Sequence, residues 1–515
     1  MLRTALAGIP TLFLLSLVAA QSNSTIRVPA GADLQDAINR ARPGDTIILD
    51  SGATYVGNFV LPAKLGASDA FTTIRSSAAD SVLPGPSVRM DPSYAAHLAK
   101  LRSPNTAPAL ATAPGAHHYR LLFLEFQANA NGIGDIVTLG DGSSAQNSLA
   151  QVPHDLTVDR CYVHGDPKLG QKRGIALNSA RTDIVNSYVS DIKVIGQDSQ
   201  AVGGINGPGP FTISNNYLEG SGENVMFGGG DPSIPNLVPS DITITNNLIA
   251  KPVSWRDERW TVKNLLELKN ARRVTISGNT LENNWLAAQT GFAVLFTVRN
   301  QDGHCPWCQV EDVVFERNVV RHSAAGINIL GHDDLQPSQQ TQRISIRNNV
   351  FSDIDNKKWG GNGYFLLLTG EPRDIVVDHN TIIQPNALGI VVVGGPPTLG
   401  FVFTNNLVRH NEYGLKGDNR ASGLDTIRAY FPASNITANV IADGQERFYP
   451  SGNFFPSSAE FQRQFVSYDT GDYRLVSGSP WRAAGIDGGD LGAGAGTPAA
   501  PLQPPRPPGG RTRQP

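Results

Sequence analysis

The chain has 515 residues, and 42 Lys and Arg against 45 Asp and Glu give it a formal net charge of −3. This balance argues against a nucleic-acid-binding protein, which would present a basic surface. By length alone the chain could hold two or three ordinary domains, but the internal repeat described below favours one elongated domain.

Residues 1–20 have the features of a secretory signal peptide. Arg3 is positively charged, residues 6–17 are mostly apolar, and Ala20 ends a small-residue cleavage site. A membrane anchor is the alternative, but the apolar run is short for a span and no second run follows it. We therefore expect a secreted or periplasmic protein with no membrane span after cleavage.

A short amphipathic helix is predicted over residues 31–42, with an apolar face formed by Leu34, Ala37, Ile38 and Ala41. Asp33 is expected to cap this helix, and a strand is expected at Thr46–Leu49. A stack of repeats leaves its terminal apolar surface open unless something covers it. We expect the region near 31–50 to cover the N-terminal end and residues 470–492 to close the other end.

A repeat centred on an asparagine occupies most of the chain. Apolar residues lie five and three positions before each asparagine and two positions after it, at Asn216, Asn247, Asn279, Asn318, Asn349, Asn380 and Asn406. The spacings of 31, 32, 39, 31, 31 and 26 residues are typical of a solenoid. The alternation of β-branched and aromatic residues predicts strands. Weaker copies at Glu125, Cys161, Ser187 and Asn439 bring the total to roughly eleven coils.

The repeated asparagines are interpreted as structural. Asn tolerates the left-handed backbone conformation at a sharp bend. Stacked amides in successive coils can also hydrogen-bond to one another. A role as sugar or metal ligands is the alternative interpretation.

The order of strand, asparagine turn, strand, turn, third strand and wide loop resembles the pectin-lyase-like superfamily. The segment ADLQDAINRARPGDTIIL at residues 32–49 carries the same resemblance. It implies an all-β domain over residues 21–490, folded as a single-stranded right-handed parallel β-helix with an N-terminal capping helix. Residues 497–515 are rich in Pro, Gly and Arg and predict a disordered tail. Lyases, hydrolases and epimerases share this fold, so the resemblance does not identify a substrate.

Members of the superfamily bind polysaccharide across the outer face of one sheet, and the corresponding strands here become polar at their last outward positions. Those positions are Asn178, Asn206, Asp231, Lys269, Arg299, His332 and Glu371. Glu267 lies two residues before Lys269 and therefore on the same face. We expect Asn178, Asn206 and Glu371 to contact substrate.

Lys269 and Arg299 end consecutive strands at matching places, so stacking is expected to bring their backbones about 5 Å apart. Two cations at that distance repel, which favours a neutral lysine that can act as a base. β-Elimination of a uronic-acid polysaccharide needs such a base and a positive charge on the substrate carboxylate. We assign Lys269 as the base and Arg299 as the neutralising cation. His332, beside two aspartates, is a further catalytic candidate.

The chain is also similar to the chondroitinase-B and alginate-lyase group, which uses a Lys and an Arg on this sheet near a calcium ion. Glu223, Asp231 and Glu267 are the oxygen ligands expected for calcium here. The second glutamate two residues from Glu267 that the group would show is absent. A solvated ion pair is the alternative interpretation of Lys269 and Glu267.

The 39-residue spacing marks an insertion after Arg299 that contains Cys305 and Cys308. In an exported protein a local disulfide is favoured. A metal site with His304 and a redox site are the alternatives. Trp307, between the cysteines, is expected to stack on a sugar ring.

The sequence therefore predicts an exported polysaccharide lyase acting on a uronic-acid-containing polysaccharide. A glycoside hydrolase would need two carboxylates, for which Glu371 and Asp333 are candidates. A uronate epimerase and a non-catalytic carbohydrate-binding surface protein are the remaining alternatives. No pattern indicates an oligomer, so a monomer is expected.

Overall fold

The computed structural model describes residues 24–64 and 68–494. The predicted signal peptide, residues 1–20, and the predicted tail, residues 497–515, lie outside the described residues. Within the described part the chain forms a right-handed parallel β-helix, in which successive coils add strands to three parallel sheets. The expected fold class is confirmed.

The strands of the first sheet are Thr25–Val28, Thr46–Leu49, Thr72–Ser76, His117–Leu122, His154–Asp159, Ala180–Val185, Phe211–Ser214, Ser240–Thr245, Ala271–Ser277, Val310–Glu316, Gln342–Arg347, Arg373–Asp378, Val402–Thr404 and Asn435–Thr437. Those of the second sheet are Thr54–Val56, Ala99–Arg102, Leu124–Gln127, Tyr162–His164, Tyr188–Ile192, Tyr217–Gly220, Leu248–Ala250, Thr280–Asn284, Val319–Ser323, Val350–Ile354, Thr381–Ile382, Leu407–Arg409 and Val440–Ala442. Those of the third sheet are Phe59–Leu61, Leu110–Thr112, Asp135–Leu139, Arg173–Leu177, Gln200–Gly204, Glu223–Phe227, Asn264–Leu268, Phe292–Thr297, Ala325–Leu330, Leu366–Thr369, Val391–Val393 and Leu415–Gly417. The 12 strands of the third sheet correspond to about one more coil than the repeat predicted.

The N-terminal end of the β-helix is covered by the helix Leu34–Arg40. Its N-cap is Asp33, whose side chain accepts a hydrogen bond from the Asp36 N–H. Leu34, Ala37 and Ile38 are buried in the main core, so the predicted cap is confirmed. The described residues also contain 3₁₀ helices at Asp80–Val82, Pro92–His97, Leu149–Gln151, Val253–Asp257 and Glu446–Phe448.

The C-terminal end is closed by a segment earlier than the one we expected. Phe431 follows the helix Leu424–Tyr430 and stacks on Phe401 at 4.3 Å between ring centroids, within the main core.

The C-terminal segment includes the helix Ser458–Gln462 and the antiparallel strands Phe465–Ser467 and Asp472–Leu475. Its residues Phe461, Phe465 and Trp481 pack with Leu407 and Val440 in a separate cluster. In the strands of those two residues, the neighbouring side chains Val408 and Ile441 belong to the main core. Residues 470–492 therefore lie along the outside of the second sheet and do not close the end of the core.

The repeated asparagines form a continuous ladder inside the coils. Asn279, for example, donates its backbone N–H and its Nδ2 to Asn318 Oδ1 at 2.9 and 3.0 Å, and donates Nδ2 to Ile244 O at 2.8 Å. The same pairing links Asn216, Asn247, Asn279, Asn318, Asn349, Asn380, Asn406, Asn439 and Asn453. The structural interpretation is confirmed, and Ser187 extends the ladder towards Cys161, whose N–H it accepts at 3.1 Å.

The left-handed backbone conformation does not belong to the ladder asparagine, as we expected, but to the residue before it. These residues, with φ between 52 and 68°, are Asn215, Asn246, Gly278, Arg317, Asn348, His379 and Asn405. The preceding residue makes the bend, which leaves the ladder asparagine free to turn its amide inward.

Replacing Asn318 by Ala would leave the Asn279 N–H and the Ile276 carbonyl without their buried partners. Each such loss costs about 1–3 kcal/mol, so we expect the free energy of unfolding in urea titrations to fall by about 2–6 kcal/mol. Asn318→Ser should cost less, because Ser187 already occupies the equivalent place. A free energy of unfolding for Asn318→Ala within about 0.5 kcal/mol of the parent would contradict a stabilising ladder.

Candidate active site

The outer face of the third sheet changes character along the rod. Strand register places one outward residue per coil in a row, which runs Thr138, Ala176, Gly203, Met226, Glu267, Leu295, Asn328, Leu367, Val392 and Lys416. The flanking residues, such as Leu266 and Leu268, belong to the core. Beyond Glu267 the face is mostly apolar, since Leu295 and Leu367 pack with Phe292 and Ala325, although Asn328 lies between them in the row. Glu267 therefore lies at the boundary with this mostly apolar part of the face.

Two buried acids lie where this polar region ends. Glu223 and Glu267 are 1% and 0% exposed, and register pairs Glu223 with Asn264. Glu223 Oε1, Asn264 Oδ1 and both Glu267 oxygens are buried without a hydrogen-bond partner among the described residues. Burial, together with the charge of Glu267, raises the pKa of Glu223 to about 7. A pair of buried carboxylates needs cationic partners to remain ionised.

Two lysines supply positive charge to this pair. Lys269 Nζ lies 2.8 Å from Glu267 Oε1, in a direction that does not make a hydrogen bond, and donates to Thr297 Oγ1 at 3.4 Å. Lys263 Nζ lies 3.6 Å from Glu223 Oε1 and also pairs with Asp198. The Lys269 side chain is 21% exposed, so it links a buried carboxylate to the surface.

Arg299 does not stack on Lys269 as we predicted. Register pairs Glu267 with Leu295, which brings Thr297 beside Lys269. The Arg299 N–H donates to Lys269 O at 2.9 Å, so the two backbones are in contact. The guanidinium Nη1, however, donates to Asp333 Oδ1 at 3.1 Å. Each cation thus has its own carboxylate, which removes the expected repulsion between them.

Asp231 supports a loop and is not held ready for calcium. Its carboxylate accepts the N–H groups of Gln301, Asp302 and His304 at 2.7, 3.0 and 2.8 Å. The same loop contains a disulfide between Cys305 and Cys308. Asp231, which we predicted as a calcium ligand, therefore links two loops that are about 70 residues apart in sequence.

Trp307 is also directed away from the outer groove. Its Nε1 donates to Leu237 O at 3.1 Å, and its ring packs against the main core. This arrangement anchors the disulfide loop and does not provide the sugar platform that we expected.

The two predicted substrate-binding asparagines are engaged in turns. Asn178 Oδ1 accepts the N–H groups of Ile205 and Asn206 at 2.9 Å each. Asn206 is fully buried and donates Nδ2 to the carbonyls of Asp141 and Gln146. Asn206 is thus inaccessible to substrate, whereas Asn178 still lines a surface cleft.

His332 and Glu371 lie on later coils than Lys269. Their turns are adjacent, since the Gly331 N–H donates to Thr369 O at 2.8 Å. Counting strands of the third sheet, His332 is two coils and Glu371 three coils from Lys269, so about 10 and 14 Å along the rod. The structure does not bring either residue to Lys269.

A cleft of about 280 Å³ lies on the N-terminal side of Lys269, and its lining residue Gly228 packs against the Lys269 backbone. Its lining includes Arg173, Gln200, Gly203, Met226 and Gly228. Arg173, Gln200, Lys263 and Asn264 were not predicted as site residues, because only the last outward position of each strand carried a polar signal. These four residues lie at or just before the beginnings of strands in the third sheet.

Behind the two acids, Lys251 is fully buried inside the coil. Its Nζ donates to the carbonyls of Gly220, Gly222 and Asn264 and to Asn224 Oδ1, at 2.7 to 3.1 Å. Burial lowers the pKa of Lys251 to about 7, although nearby Glu223 and Glu219 favour the charged form. Lys251 thereby joins the two strands that carry Glu223 and Glu267.

No model of a known protein family matches the chain, and neither does any curated protein sequence. Among solved structures, the PL6 family alginate lyase AlyGC is 13% identical with a TM-score of 0.52; the match covers 88% of this chain and 59% of the lyase. A mannuronic acid specific family 6 lyase from human gut microbiota is 12% identical with a TM-score of 0.49, covering 85% of this chain and 93% of that one. This chain has the β-helix scaffold of PL6 polysaccharide lyases. It spans just under three fifths of the length of AlyGC.

In the described part of the chain, no helix is long and apolar enough to cross a membrane. Within residues 24–64 and 68–494, no three or more His, Cys, Asp or Glu side chains are arranged to hold a metal ion. Any metal at the acid pair would therefore need ligands of another kind, and the unpartnered Asn264 Oδ1 is one.

Replacing Asp231 by Ala should loosen the disulfide loop without unfolding the rod. We expect faster hydrogen exchange at the amides of residues 301, 302 and 304, which lose a charged acceptor. Asp334→Ala, an exposed change in a neighbouring turn, is the control. Unchanged exchange in the loop together with weaker calcium binding would return Asp231 to the role of a metal ligand.

Proposed function

We propose that the protein is an exported polysaccharide lyase that cleaves a uronic-acid-containing polysaccharide by β-elimination. The observation that carries this proposal is the contact between Lys269, which reaches the surface beside a cleft, and the buried carboxylate of Glu267. The shared scaffold with PL6 lyases supports the same class of reaction. The Cys305–Cys308 disulfide supports export, because such bonds persist in oxidising compartments.

In this mechanism Lys269, whose Nζ lies 2.8 Å from Glu267 Oε1, first gives up its proton to water. The neutral amine then removes the proton from the sugar carbon next to the uronate carboxylate. The electron pair forms a carbon–carbon double bond while the neighbouring carbon–oxygen bond of the chain breaks. The leaving oxygen takes up a proton, which the Lys269 ammonium can return.

Charge stabilisation in this reaction is assigned to Arg299. Its Nη1 and Nε contact Asp333 and Gln301, and its side chain is 24% exposed. The remaining N–H groups are suited to a planar carboxylate. The backbone contact with Lys269 keeps the base and this cation on adjacent coils.

Calcium is proposed as the additional cation for the buried acids. Three carboxylate oxygens of Glu223 and Glu267, and Asn264 Oδ1, accept no hydrogen bond from the described residues and are hard oxygen donors of the kind that calcium prefers. Two of these oxygens face the ammonium groups of Lys269 and Lys263, which calcium would have to displace. When bound, calcium would add positive charge where the substrate carboxylate becomes more basic.

The alternatives have less support. A hydrolase based on Glu371 and Asp333 is disfavoured, because Asp333 already accepts from Arg299, Asn300 and Leu335. A uronate epimerase would use the same proton removal, and a non-catalytic sugar-binding protein would not need Lys269. Product analysis separates these cases, since only the lyase makes an unsaturated sugar.

The lyase proposal is tested by ultraviolet absorbance on alginate, chondroitin, pectate and heparinoid substrates. Lys269→Met should lower turnover about 10²–10⁴-fold, because the general base is lost. Lys416→Met is a matched control, since Lys416 lies in the same outward row at the far end of the rod. No absorbance rise with the parent, or full activity in Lys269→Met, would refute the proposal.

The calcium proposal has a separate test by titration calorimetry. Glu267→Gln should weaken calcium binding at least about tenfold, because a charged ligand becomes neutral. Glu316→Gln, on the first sheet, should leave binding unchanged. Absence of calcium binding in the parent, or equal affinity in Glu267→Gln, would count against a calcium site here.

A further inference from the structure

Four side chains join successive coils along one edge of the cleft. Register aligns Asp135, Arg173, Gln200 and Glu223. Arg173 Nη1 donates to Asp135 Oδ1 at 3.2 Å, and Arg173 Nε donates to Gln200 Oε1 at 2.9 Å. Gln200 Nε2 in turn donates to Glu223 Oε2 at 2.9 Å. The guanidinium is therefore held in a fixed orientation by the chain of contacts that reaches the acid pair.

The guanidinium remains able to bind a ligand. Only two of its N–H donors have acceptors within the described residues, and the side chain is 28% exposed at the cleft. Gln200, which orients it, is 3% exposed and held on both sides. The Arg173 guanidinium therefore keeps N–H groups for a ligand while the buried Gln200 side chain fixes its position.

The floor in front of Arg173 is kept open by Gly203. This glycine does not have a left-handed backbone, so its conformation does not require glycine. A Cβ at this position would lie 3.2 Å from the Gln200 side chain and 3.6 Å from Arg173 Nε. Any larger residue would fill the space beside the guanidinium.

The charges in the cleft are unfavourable for a uronate. Asp135, Asp141 and Arg173 are the ionisable residues of its lining, which gives two acids and one base. Arg173 is already paired with Asp135, and Asp141 uses Oδ1 to accept the Ser143 N–H. A carboxylate placed here would meet a net negative wall. Sugar hydroxyls, in contrast, can donate to the two aspartates and accept from Arg173.

Arg173 is also distant from the position of proton removal, although the cleft extends towards Lys269. The lining of the cleft comes from four successive coils, so it runs along the rod. Arg173 lies three coils before Lys269, which corresponds to about 14 Å. A polysaccharide with one uronate at Lys269 would place a different sugar beside Arg173.

We propose that this cleft binds an uncharged sugar residue through its hydroxyl groups, so that the substrate is a heteropolysaccharide in which uronate and neutral sugars occur together. Asp135 and Asp141 accept hydrogen bonds from the sugar hydroxyl groups, and Arg173 donates hydrogen bonds to the hydroxyl oxygens. The identity of the substrate as uronate-containing rests on the proposed function, whereas the selection for a neutral sugar rests on the charges of the cleft.

Calorimetry on the full chain with Lys269→Met, which prevents turnover, tests this proposal with two hexasaccharide probes. One is an alginate hexasaccharide, in which every sugar is a uronate, and the other is a hyaluronan hexasaccharide, which alternates uronate with an uncharged sugar. We expect the alternating probe to bind at least tenfold more tightly. Arg173→Met should weaken binding of the alternating probe about tenfold, because one charge-assisted hydrogen bond is lost.

Asp141→Asn should improve alginate binding several-fold by removing one repelling charge, while Asp241→Asn, on the first sheet, should not. Gly203→Val should abolish binding of the alternating probe, with circular dichroism checking that the fold is retained. Tighter binding of alginate, absence of binding by either probe, or no effect of Arg173→Met would overturn the proposal. Heteropolysaccharide binding without lyase activity in the parent would refute the proposed reaction and leave this inference standing.

Discussion

The asparagine ladder is the interaction on which the arrangement of the molecule depends. Each amide satisfies backbone groups of neighbouring coils: Asn279 Nδ2 donates to Ile244 O, and Asn318 Oδ1 accepts the Asn279 N–H. Successive coils therefore cannot slide past each other without leaving buried groups unpaired. A slip of one residue would also exchange the inner and outer faces of a strand. The row that contains Gly203, Met226 and Glu267 exists because the ladder and the apolar core hold the register.

Near Glu223 and Glu267, the third sheet has buried charged side chains on both its outer and its inner face. Glu223 and Glu267 are buried beneath the outer surface, while Lys251 is buried inside the coil. Removing charges from water is costly, and the interior of a β-helix would be more stable with apolar residues. Buried and perturbed ionisable groups concentrate at functional sites, which supports the role proposed for this level of the rod.

Much of the fold could be predicted from the sequence, because its determinants are local. The spacing of the asparagines, the alternation around them and the capping helix after Asp33 are each visible within a few residues, and the structure contains all three. The disulfide loop was predictable for the same reason, since Cys305 and Cys308 are close in the chain.

The site was predicted less well, because its contacts join distant residues. Asp231 is used by amides 70 or more residues later, and Arg299 turns to Asp333 on another coil. Lys269-Asn270 resembles Arg299-Asn300 in sequence, which suggested that Lys269 and Arg299 are aligned in neighbouring strands. The strand register instead aligns Glu267 with Leu295, which places Lys269 out of line with Arg299. Side chains at strand beginnings, such as Arg173 and Asn264, were missed since nothing local distinguishes them.

A β-helix separates stability from recognition in a way that explains how similar scaffolds can bind different sugars. Each coil contributes one outward residue to a row, and inward neighbours such as Leu266 and Leu268 hold the coil in place. Exchanging one outward residue therefore changes the groove without changing the core. The chain shares this rod with an alginate lyase to which it is only 13% identical. Under the proposed function, single outward positions such as Asp141 and Arg173 would decide which polysaccharide binds, because fold alone does not determine the ligand.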